Sequence, residues 1–189
     1  LWVQSLNALS AQMLTGTENA QFPFWSPDGK SIGFFADGKL KKIDHSGGTP
    51  FTICDSGDPR GGTWNQAGVI IFEGYIGGGM FQVSAAGGPT SPVTKLDSSR
   101  NEQTHRWPSF LPDGKHFLYF SRTTAAGSGS GGDSICIGST ESPEVKRILH
   151  GESDAVYAKG HLLFMHESAL MAQPFDLEKL EVIGEPVPI

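Results

Sequence analysis

Apolar and polar positions alternate in short bursts along the chain, and no stretch sustains the three-and-four spacing of an amphipathic helix. Four segments rich in β-branched and aromatic residues read as strands: 31–36, 69–73, 116–122 and 161–165. A short segment ending in an aromatic, such as 22–25, precedes the first of them. An alternating third strand follows each, at 40–43, 80–83, 135–137 and 170–175. Glycine turns at 46–48 and 86–88 then lead toward outer strands at 51–54 and 91–95, with a further outer strand at 145–149. The recurring unit has four strands.

The units repeat in sequence as well as in pattern. Trp25-Ser26-Pro27-Asp28-Gly29-Lys30 is answered by Phe110-Leu111-Pro112-Asp113-Gly114-Lys115, with a degenerate copy at Trp64-Asn65-Gln66-Ala67-Gly68 and another at Tyr157-Ala158-Lys159-Gly160. The glycines at 29, 68, 114 and 160 are separated by 39, 46 and 46 residues, a period suited to a four-stranded blade. Proline presets the first corner of a β-turn, and Asp-Gly tolerates its tighter end, so each copy is expected to close a hairpin. Loss of Pro and Asp at Asn65-Gln66-Ala67 makes the second hairpin the least typical.

These features predict an all-β chain: a β-propeller fragment of about four and a half four-stranded antiparallel blades. The expected division of the partial propeller over 1–189 is a half blade at 1–20 and blades at 21–57, 58–101, 102–152 and 153–189. A β-sandwich accounts less well for the repeated Pro-Asp-Gly turn, and a helical solenoid lacks the required periodicity. No cap is evident at either end, so the terminal blades are expected to expose edges or apolar faces that favour self-association.

Composition narrows the functional classes. With 14 Lys and Arg against 20 Asp and Glu, the net charge of −6 opposes binding to nucleic acid. No apolar run approaches the ~20 residues of a membrane helix; the chain starts at Leu1 without an initiator Met or a signal peptide, so any targeting signal or membrane anchor of the parent is expected to lie outside it. Cys54 and Cys136 lie in alternating apolar segments and read as buried free thiols.

The block 25–30 followed by Ser31-Ile32-Gly33-Phe34-Phe35 resembles the WD40-like repeat of the TolB propeller family, over essentially the whole chain. Segments 37–44, 60–65, 105–108, 170–176 and 184–188 are most similar to propeller regions attached to bacterial serine/threonine protein kinases. That resemblance implies a larger propeller, an upstream kinase and membrane span in the parent protein, and an extracytoplasmic (periplasmic) location. The chain itself has no kinase Gly-rich loop, His-Arg-Asp or Asp-Phe-Gly motif.

Candidate chemistry is sparse, and no catalytic residue, metal ligand or cofactor is expected. The run Gly127-Ser128-Gly129-Ser130-Gly131-Gly132 fits a dinucleotide fingerprint only formally and reads as a hairpin tip between strands. The six histidines are dispersed, and Asp28 and Asp113 are explained by their turns. Arg60, Trp64, His105, Arg106 and Trp107 precede or begin first strands, which lie nearest the channel of a propeller. They are the candidate ligand-binding residues at its rim, suited to an anion or polar peptide; the structural alternative, and the favoured one, is that the tryptophans pack between blades and the arginines bond carbonyls or bridge neighbouring blades. The expected role is a non-catalytic interaction or sensor module for a protein or peptide. The alternative is the accessory propeller of a prolyl-oligopeptidase-like serine peptidase, which gates substrate entry.

Overall fold

A computed structural model describes residues 1–74, 78–124 and 132–189. An antiparallel ribbon of β1 (Trp2–Val3) and β2 (Gln12–Met13) comes first. Blade 1 contains β3 (Gln21–Trp25), β4 (Ser31–Ala36), β5 (Lys39–Asp44) and β6 (Phe51–Asp55), and blade 2 contains β7 (Gly62–Trp64), β8 (Val69–Glu73), β9 (Met80–Ser84) and β10 (Ser91–Pro92). Blade 3 contains β11 (Glu102–Phe110), β12 (His116–Thr123), β13 (Ser134–Ser139) and β14 (Lys146–His150). Blade 4 contains β15 (Ala155–Ala158), β16 (His161–His166) and β17 (Ala169–Asp176), with β18 (Glu181–Val182) and β19 (Val187–Pro188) sharing the outer edge of β17. Each blade is an antiparallel meander, and the inner strands β3, β7, β11 and β15 contact one another in succession. This is the architecture of a propeller.

Because successive strand residues point to opposite faces, a strand packed between two neighbouring blades must be apolar on both. β4 shows this directly: Phe34 faces the ribbon with Leu14, Ile32 and Ile43, whereas Phe35 faces blade 2 with Ile70, Phe72 and Val83. Ile71, Met80, Phe117, Tyr119 and Cys136 fill the next layer, and Leu118, Ile135, Ile137, Leu162, Phe164 and Phe175 fill the last. Full burial of one such large apolar side chain contributes roughly 1.5–3 kcal/mol, so these layers hold the blades together.

The repeated turns form as their chemistry requires. Gly29, Gly68, Gly114 and Gly160 have φ of +69°, +78°, +68° and +85°, a region glycine enters without steric cost. Asp28 Oδ1 accepts from Ser26 Oγ and Lys30 N, and Asp113 Oδ1 accepts from Lys115 N and His116 N. At the degenerate turn Asn65 stands in the place of Ser26, whose Oγ accepts from Ser31 N in blade 1. Asn65 Oδ1 accepts from Val69 N at 2.9 Å while Nδ2 donates to the Gly114 carbonyl at 2.7 Å, linking the turns of blades 2 and 3.

The outer strand of blade 2 is shorter than the expected 91–95. It ends at Pro92 because Thr94 turns inward and its Oγ1 accepts the Met80 N–H at 2.8 Å, taking the place of a ladder bond. A loop with a 3-10 turn at Ser98–Arg100 covers the adjacent part of blade 3. Residues 127–131 of the Gly/Ser run lie outside the described residues. Cys54 and Cys136 are free, and no described helix is long and apolar enough to cross a membrane.

Candidate binding site at the propeller axis

Two residues of the inner strands, and one just before β7, share an unusual backbone. Phe22, Gly61 and Trp107 have φ of +47°, +93° and +54°, and each stands seven positions before its turn glycine. The ladders of β3 and β11 slip at Phe22 and Trp107, where bulges form ahead of Pro23 and Pro108. Bulky residues with such φ typically cost ~1–3 kcal/mol and persist only where the surroundings enforce them. Here the surroundings are one another. The rings of Phe22 and Trp107 meet edge to face at 5.3 Å, and Gly61 lies so close that a Cβ would stand 3.1 Å from Trp107 Cε3.

Charged groups collect beside this contact. Arg60 Nη1 donates to Asp58 Oδ1 at 2.7 Å and to the Pro59 carbonyl at 2.8 Å. Glu73, at the end of β8, is 2% exposed; its Oε1 accepts from Thr104 Oγ1, while Oε2 has no hydrogen-bond partner. Burial pushes the Glu73 carboxyl up to about 7, opposed by the Thr104 bond and by the positive charges of Arg106 and Arg60. Arg106 Nε is also buried without a partner. A polar cleft of about 200 Å³ adjoins, lined by Asn19, Gln21, Ser56 and Asp58 among others, and Ser56 Oγ is a third unpaired buried atom.

The five residues read from sequence separate into groups. Arg60, Arg106 and Trp107 come together, and the Trp107 N–H donates to the Arg60 carbonyl at 2.8 Å. Trp64 lies at the far end of β7, about 13 Å along an extended chain from Arg60. It lines one cleft with Pro27, Asn65 and Gln66, and shares another with Phe110 and Pro112. His105 is fully buried between blades, its Nδ1 2.7 Å from Thr94 Oγ1, its Nε2 3.1 Å from Glu102 Oε2, and its ring 4.6 Å from that of Tyr119.

Glu73, Thr104 and Phe22 were not among the residues singled out from sequence. Only the constant seven-residue offset of 22, 61 and 107 from the turn glycines points to the bulges. Among the described residues no group of three or more His, Cys, Asp or Glu side chains is placed to hold a metal.

Most of the chain superimposes on known propellers. TolB from Acinetobacter baumannii matches with a TM-score of 0.68 at 15% identity, over 93% of this chain and 45% of that one. The fold is a TolB-like β-propeller. The chain thus spans about half the length of this TolB. Similar matches are selenomethionine-substituted virginiamycin B lyase from Staphylococcus aureus, with a TM-score of 0.60, 14% identity, and 95% and 59% of the two chains covered, and a puromycin-hydrolyzing peptidase from Mycobacterium tuberculosis, with a TM-score of 0.62, 11% identity, and 89% and 32% covered. Identities this low establish the TolB-like fold alone. No family model and no curated protein matches the sequence.

Proposed function

We propose that the chain is a non-catalytic interaction module of a larger protein and binds an extended polar peptide at the axial site. The observation that carries this reading is the pair of unused groups there: a buried acceptor, Glu73 Oε2, and a buried donor, Arg106 Nε. A peptide amide offers the complement of both, an N–H for the carboxylate and a carbonyl for the guanidinium. The Phe22–Trp107 pair supplies an apolar wall, while Arg60 is already engaged by Asp58 at 2.7 Å. The parent is read as a receptor-like serine/threonine kinase, on the sequence resemblance of segments 60–65 and 105–108 among others.

Selection of random linear peptides on the folded protein tests the site. Enriched peptides are expected to compete for one position and to weaken about tenfold or more with Arg106→Met and Glu73→Gln, while both variants keep the fold. Peptides that bind both variants as tightly as the wild type would remove the axial site. Likeness to the peptidase fold supports the second reading, an accessory propeller gating a hydrolase. A Gly-x-Ser-x-Gly domain in the same reading frame would favour it; an upstream kinase and membrane helix would favour the first.

A further inference from the structure

We propose that the cleft between blades 2 and 3, away from the axial site, binds a small oxyanion: a phosphate or carboxylate group. The cleft exists because β10 stops after two residues, leaving a loop to cover the outer part of blade 3. It measures about 170 Å³ and is lined by Lys95, Asp97, Arg100, Glu102, Tyr119 and Arg147, together with Cys136 and Val145. That is room for roughly six waters at ~30 Å³ each, so it suits one anionic head group with a water or two and is too small for a nucleotide.

Its unfilled hydrogen-bonding capacity is mostly that of donors. Arg147 is 19% exposed, yet its Nη2 is buried without a hydrogen bond; Glu102 Oε1 stands 3.9 Å away, beyond bonding distance. Lys95 is exposed and makes no hydrogen bond or ion pair with the described residues. Arg100 uses only Nε, at 3.1 Å from Asp97 Oδ2. The carboxylates are more fully engaged: Asp97 Oδ1 accepts from Ser99 N and Oγ, and Glu102 Oε2 faces Asp97 N–H and His105 Nε2. Three cations against two carboxylates leave one net positive charge, and guanidinium groups match the paired oxygens of phosphate and carboxylate.

The test titrates the full chain with inorganic phosphate and, separately, with acetate at constant ionic strength, following backbone amide shifts and Tm. Saturable shifts confined to residues 95–102 and 145–147 are expected, with affinity falling about tenfold in Lys95→Ala and again in Arg100→Ala. Both substitutions are at exposed positions, so the fold is retained. Response to phosphate alone assigns the site to a phosphoryl group, and response to both assigns it to oxyanions in general. The proposal is overturned if neither anion gives saturable shifts at concentrations on the order of tens of millimolar. It fails equally if the double variant responds like the wild type, because that pattern marks the general stabilising effect of excluded salts.

Discussion

The Trp107 N–H donates to the Arg60 carbonyl at 2.8 Å, joining the bulge of blade 3 to the residue that leads into blade 2. Between them Gly61 holds φ of +93°, and a Cβ there would crowd the Trp107 ring at 3.1 Å. Gly61→Ala is therefore expected to cost ~1–3 kcal/mol, a loss of about 2–4 °C in Tm per kcal/mol for a chain of this size. An unchanged Tm would show that the left-handed backbone is not enforced.

Glu73 gives the stability curve a slope near neutrality. Its folded pKa of about 7 lies above the ordinary 4.5, so the folded state holds the proton more tightly and loses stability as pH rises from 4.5 through 7. Glu73→Gln is expected to remove that slope, leaving the variant more stable than wild type at pH 8 by on the order of 1–3 kcal/mol and about equal at pH 4. Urea titrations at the two pH values make the comparison, and parallel curves would refute it.

Glu102 acts in the opposite direction. Burial alone would raise its pKa, but the bond with His105 and the Asp97 N–H outweigh it and bring the carboxyl to about 2. Its contribution is complete above pH 4.5 and is lost as pH falls toward 2. Glu102→Gln should cost roughly 1–3 kcal/mol at pH 7 and flatten the acid limb of the unfolding curve. An acid limb identical to wild type would exclude Glu102 as its source.

Asn65 allows a graded experiment. Asn65→Ala removes both side-chain bonds and is expected to destabilise by ~1–2 kcal/mol, whereas Asn65→Asp keeps the acceptor for Val69 but sets a carboxylate oxygen against the Gly114 carbonyl unless it is protonated. Denaturant midpoints of both variants should fall below wild type at pH 7, and that of Asp should recover toward wild type near pH 4, where a protonated carboxyl can donate to Gly114. A midpoint for Ala equal to that of wild type would assign no weight to the link between turns.

Strands around the repeated turns were legible because their signals are local: β4 and β8 follow directly from the apolar runs at 31–36 and 69–73. The short β10 was not, since a Thr94 hydroxyl competing for the Met80 N–H cannot be seen in the residues 91–95 alone. His105 illustrates the same limit at the site. Its neighbour Trp107 meets Arg60 and Phe22, but its own place is set by Thr94, Glu102 and Tyr119, which become partners only when blades 2 and 3 stack. Glu73 read simply as the end of an apolar strand until β11 brought Thr104 onto it.

Two residues of β10 close the outer edge of blade 2, and this divides the array into parts of unequal cooperativity. The segment from Val93 to Asn101 can detach by breaking few backbone bonds, without unzipping β8, β9 or the layers around Phe72 and Phe117. Its amides should exchange with solvent through a local opening that costs less than global unfolding, while those of β8 and β12 exchange only with the whole. The outer margin between blades 2 and 3 is thus expected to open to solvent ahead of the layer around Phe117 beneath it.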